Sequence, residues 1–83
     1  MKYHVYILYS VSLNQYYIGH TDDLSDRMYR HLNSGSKFTS KANDWQLKYS
    51  EDFLTRSDAM KRESDIKKKK SRKYLEWLIN SAT

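Results

Sequence analysis

From Tyr3 to Tyr9 the apolar residues both alternate and run together (Tyr-His-Val-Tyr-Ile-Leu-Tyr), with aromatics of both parities. That pattern predicts a β-strand packed on two sides. Ser10 to Asn14 reads as a turn and Gln15 to Gly19 as a second strand, and so short a connection makes the pair an antiparallel hairpin. His20 to Asp23 suits a loop that ends in a helix cap. Leu24, Met28 and Leu32 then recur at helical spacing and predict an amphipathic helix over about 23–34, stopped by Asn33-Ser34-Gly35-Ser36. The stretch to Asp44 reads as a loop. Leu47, Tyr49 and Phe53 share a parity in an extended segment, 45–53, whose polar residues from Lys48 to Asp52 mark it as an edge strand. Thr55 with Asp58 three residues later resembles a capping box and predicts a helix over about 56–70, with Ala59, Met60 and Ile66 as its apolar positions. Ser71 can cap a third helix, in which Tyr74, Leu75, Leu78 and Ile79 close over the core.

The order β-β-α-β-α-α describes an α+β fold, a small three-stranded antiparallel sheet flanked by helices. The 83 residues are expected to form one domain, 1–83, and at this size a chain buries only about 60 to 65% of its unfolded surface. Eight Tyr, two Trp and two Phe supply the apolar area of that core. With no cysteine, neither disulfides nor a thiolate zinc site can brace it, and any metal must be held by oxygen or imidazole. No apolar run resembles a signal peptide or a membrane span, so the expectation is a soluble cytoplasmic protein with no membrane partner. The net charge of +5 points toward a polyanion, because clustered Lys and Arg gain affinity by releasing counterions from phosphates.

Several residues could carry chemistry, and each also has a plain structural meaning. Arg27 and His31, four apart, project from one helical face toward a common spot, as two solvated surface residues also would. Glu63 falls four after Ala59 and three before Ile66, on the stripe that should face the protein. It can lie at the edge of that stripe, turn inward to a hard cation, or pair with Arg62 or Lys67. Tyr6 and Tyr17 are strand residues of a favoured type and need be no more than packing. Gly19 either ends its strand or lets a phosphate approach the backbone. The run Lys67-Lys68-Lys69-Lys70-Ser71-Arg72-Lys73 is either a solvated helical face or a track for phosphates that reads no bases.

His4-Val5-Tyr6 and Tyr17-Ile18-Gly19, in a strand-turn-strand unit, resemble the two half-motifs of the GIY-YIG nucleases, with His4 where the family name has glycine. Arg27, His31 and Glu63 fall where that family has further active-site residues, and the likeness spans residues 3 to 79. It is greatest to the short, single-domain members. The resemblance implies hydrolysis of a nucleic-acid phosphodiester, with DNA the first expectation, by an in-line water and one divalent ion, Mg2+ or Mn2+. Glu63 would be its sole protein ligand. Arg27 would clamp the charge on the phosphate. Tyr6 is favoured over Tyr17 as general base, with Tyr17 bonding the phosphate or relaying the proton and His31 assisting or orienting the nucleophile. His20, next to the second half-motif, is a candidate phosphate contact. A later asparagine of the family has only Asn80 as its counterpart. A module this small is expected to need a protein partner for substrate specificity. A nucleic-acid-binding relative that does not cut, and a protein-interaction module in which the tyrosines only pack, are the competing classes.

Overall fold

In the computed structural model, which describes residues 2–32 and 39–81, the first strand, β1 (Tyr3–Ser10), lies between β2 (Gln15–Thr21) and β3 (Trp45–Phe53), both antiparallel to it. A central strand is covered on both faces, which accounts for the aromatics of both parities. Val5, Tyr6, Ile7 and Leu8 are all buried. Val5 and Ile7 pack with Ala59, Ile66 and Leu78 from α2 (Arg56–Lys69) and α3 (Arg72–Ser81). Tyr6 and Leu8 face the other way, toward Trp45 and toward Leu24 and Met28 of α1 (Leu24–Leu32). The α+β fold and its β-β-α-β-α-α order are as the sequence pattern predicts.

Local rules explain most boundaries. Asn14 adopts a left-handed conformation (φ 53°) that asparagine tolerates well, and closes the 11–14 turn with its amide on the Val11 carbonyl at 3.2 Å. The Asp23 carboxylate accepts the Asp26 amide (3.0 Å) at the start of α1, and Thr55 Oγ1 accepts the Asp58 amide (3.1 Å) at the start of α2. Ser71 Oγ likewise accepts the Tyr74 amide at 3.2 Å. Lys70, left-handed at φ 48°, separates α2 from α3.

Four expectations change. His20 and Thr21 belong to β2 rather than to a loop, because they pair with Val5 and His4. A short 3-10 turn, Thr39–Lys41, interrupts the expected loop. A register shift between Ile7 and Leu8 takes Leu47 off the face shared by Tyr49 and Phe53 and leaves it 41% exposed. Met60 is 51% exposed, since it sits one residue off the Ala59–Ile66 stripe. The predicted helix stop at Asn33 to Ser36 lies outside the described residues.

Candidate active site

The two half-motifs meet across the hairpin. Tyr6 is the direct cross-strand partner of Gly19, and its ring lies over the space that any Cβ at position 19 would occupy: such an atom would stand 2.6 Å from Tyr6 Oη and 2.8 Å from Cζ. Gly19 therefore does not end the strand; it is buried mid-strand under the tyrosine. On the far side of the phenol, His31 Nε2 is 2.9 Å from Tyr6 Oη and fully buried. The Tyr17 ring completes the group, with centroids 6.2 Å from Tyr6 and 4.9 Å from His31. Burial pushes the Tyr6 phenol well above its ordinary range; Tyr17 and Glu63 add to this and Arg27 opposes it. Burial, helped by Arg27, pushes His31 down, which favours a neutral imidazole.

The opposite wall is charged. A cavity of about 220 Å³ brings Tyr6, Tyr17 and Gly19 together with His20, Arg27 and Glu63, and Arg56 joins them. α1 carries two nearby arginines with different fates: Arg30 pairs with Asp26 on the solvent side (2.9 Å), whereas Arg27 lines the cavity. Glu63 arrives from α2 with both oxygens engaged. Its Oε1 is 2.6 Å from His20 Nδ1, and its Oε2 accepts from Lys67 Nζ at 2.6 Å. Burial raises the pKa of this carboxyl, but the bonds to Lys67 and His20 outweigh it and hold Glu63 below its ordinary range. Of the two ion pairs open to Glu63 in the sequence, Lys67 makes one; Arg62 instead forks onto Glu51, at 2.9 and 3.1 Å to Oε2.

The basic run divides. Lys67, Lys68 and Lys70 line a neighbouring groove of about 450 Å³ that shares His20 and Glu63 with the cavity. Lys69 lies over the Tyr74 ring, 5.4 Å from its centroid, and Lys73 is exposed on α3. Arg72 is tied to the hairpin turn, donating to the Asn14 carbonyl (3.1 Å) and side chain (2.6 Å) beneath Tyr9 and Tyr16. Arg56 escaped the sequence reading. Its one signal was a cation in the first turn of a helix, where the macrodipole disfavours it and another role is called for. It also pairs with Asp22 at 3.5 Å and stacks over Tyr3.

A hairpin carrying two tyrosines meets an arginine and a histidine from one helix and a glutamate from the next, and the fold that brings them together is of the nuclease type. The chain belongs to the GIY-YIG family: the GIY-YIG catalytic domain matches residues 2–75. Its relatives include a UPF0213 protein of Staphylococcus saprophyticus, 37% identical over 67 residues (80% of each chain), and one of Limosilactobacillus reuteri, 32% identical over 82 residues (95% of this chain, 84% of that one). The solution structure of a UPF0213 protein from Bacillus halodurans is similar, with a TM-score of 0.58 and 30% identity over 96% of this chain and 84% of that one. GIY-YIG domains in general act on nucleic acid with divalent metals. Among the described residues no helix is long and apolar enough to cross a membrane.

Proposed function

We propose that this chain, acting as a single domain, is a metal-dependent endonuclease that hydrolyses phosphodiester bonds in DNA. The observation that carries the reading is the meeting of two arginines, one carboxylate and the Tyr6–His31 pair around one cavity. The donor chemistry fits the implied ion. Among the described residues that line the cavity Glu63 is the one carboxylate, and it would hold the ion by releasing an oxygen from His20 or Lys67. A single hard carboxylate suits Mg2+ or Mn2+, ions that keep much of their water. When bound, the ion neutralises charge on the phosphate.

The protein's own groups divide the remaining work. Arg27 and Arg56 hold the phosphate oxygens, where a planar guanidinium is better matched than lysine. Tyr17, at the cavity wall, orients the phosphate by hydrogen bonding. Tyr6 is a poor base by itself, because burial keeps its phenol protonated at neutral pH. With His31 protonated on Nδ1, however, Nε2 accepts the Tyr6 hydroxyl proton while the phenol oxygen takes one from the attacking water. The water oxygen bonds to phosphorus, the bond to the leaving oxygen breaks with its electron pair staying on that oxygen, which takes a proton from solvent, and the proton displaced from the attacking water rests on His31. Tyr6 thus relays and His31 receives.

A second reading, a domain that binds nucleic acid without cutting it, is favoured by one observation: both Glu63 oxygens are already occupied by His20 and Lys67. Plasmid nicking with Mg2+ or Mn2+ separates the two. Glu63→Gln should lower nicking at least about 100-fold, the scale of losing one charge-stabilising group, while leaving DNA binding intact. Unchanged nicking would remove Glu63 from the mechanism, and no nicking by the wild-type domain, alone or with a protein partner that supplies specificity, would favour the second reading.

A further inference from the structure

Three concavities form a chain along α2. The cavity and the 450 Å³ groove share His20 and Glu63, and that groove shares Lys68 with another of about 460 Å³ on the α2–α3 side. Lys67, Lys68 and Lys70 border the first groove; Arg62, Lys68 and Lys69 border the second, beside Tyr74 and one carboxylate, Asp65. The Arg62 charge is spent on Glu51, so Lys68 and Lys69 supply the net positive charge there. Beyond Tyr74 the path ends on Trp77, which stacks on it (centroids 5.9 Å apart, planes 28° apart) yet remains 60% exposed. Lys73, one turn before Trp77, lies on the same side of α3.

Core packing does not explain this indole. Leu78 and the half-buried Leu75 and Ile79 already close α3 over the sheet, and Trp77 is not among the side chains packed in that cluster. An open aromatic face beside lysines matches the chemistry of an unpaired nucleic-acid strand: phosphates follow the cations and a base stacks on the ring. A duplex offers its phosphates but hides its base faces in the stack, and would leave the Trp77 face unused.

We propose that a single-stranded segment of the substrate runs from the catalytic cavity past Lys68 to Trp77, where one base stacks. The domain thereby prefers nucleic acid with an unpaired extension beside the scissile phosphate. The proposal rests on the nuclease reading for which phosphate is cut, but the strand track can fail independently of it.

Fluorescence anisotropy in metal-free buffer at fixed salt tests the track with labelled oligothymidylate of about 12 nucleotides, oligouridylate of the same length and a matching duplex. Trp77→Ala should weaken single-strand binding roughly 5- to 150-fold, with Trp77→Phe restoring most of it and duplex affinity changing little. The tighter of the two strands identifies DNA or RNA as the source, and either supports the track. Unaltered strand affinity in Trp77→Ala, an equal loss on the duplex, or no binding of either strand would overturn it. Since no metal is present, the cleavage result for Glu63→Gln bears only on the catalytic reading.

Discussion

The two faces of β1 are built on opposite terms. On one, Val5 and Ile7 meet Ala59, Ile66 and Leu78 of two helices, side chains with no polar atom to satisfy. On the other, Tyr6 lies against His31, Tyr17 and the bare backbone of Gly19, so its buried polar atoms need named partners. One eight-residue strand thus sets Val5 and Ile7 in one apolar cluster and, on its other face, sets Leu8 in a second apolar cluster beside the Tyr6–His31 pair of the candidate site. A change on the first face should cost folding and spare the site, and a change on the second should cost the site first.

The largest effect is expected for Ile66→Ala. Ile66 is 2% exposed on the aliphatic face, and its truncation should destabilise by about 2–5 kcal/mol in urea titrations, with nicking per folded molecule retained. A loss within the range of surface changes would end the contrast. Gly19→Ala comes next. The added methyl must displace the Tyr6 ring, at a cost of about 1–3 kcal/mol and with loss of the 2.9 Å bond to His31. A double-mutant cycle with Tyr6→Ala, which removes both close atoms, Oη and Cζ, should show the penalty shrinking; equal penalties in both backgrounds would mean that the contact is not its cause.

The smallest effect concerns pH. His31 is buried with its pKa lowered, so below the ordinary histidine value of 6.5 the unfolded chain binds more protons than the folded one. Stability should therefore decline as pH falls below 6.5, with a contribution of at most about 1.4 kcal/mol per pH unit from this residue. His31→Asn should lose that component of the slope. A variant whose slope matches the wild type would show that His31 is not its source.

Much of this contrast is written in the chain. The bounds of β3 and the Thr55 and Ser71 caps follow from local pattern, because a cap bonds to an amide only three residues away. The family motif likewise picks out Tyr6 and Tyr17 among eight tyrosines. What local pattern misses is decided by pairing between distant segments. His20 and Thr21 look like loop residues until Val5 and His4 supply their strand partners. Arg56 reaches the cavity only because α2 packs across β1 and β2. The four-residue spacing already offers Lys67 to Glu63, but nothing in the run from Lys67 to Lys73 tells that Arg72 turns to the hairpin, which depends on where α3 meets the turn.

The seat that Gly19 provides for Tyr6 has one further consequence, for how the hairpin finds its alignment. A slip of two residues would keep every side chain on its proper face and so escape correction by the hydrophobic pattern. It would, however, bring Tyr6 opposite Tyr17 or Thr21, whose side chains fill the space that glycine leaves vacant. The ring and the glycine thus act as key and keyway, and the alignment that admits the phenol is the same one that presents it to His31.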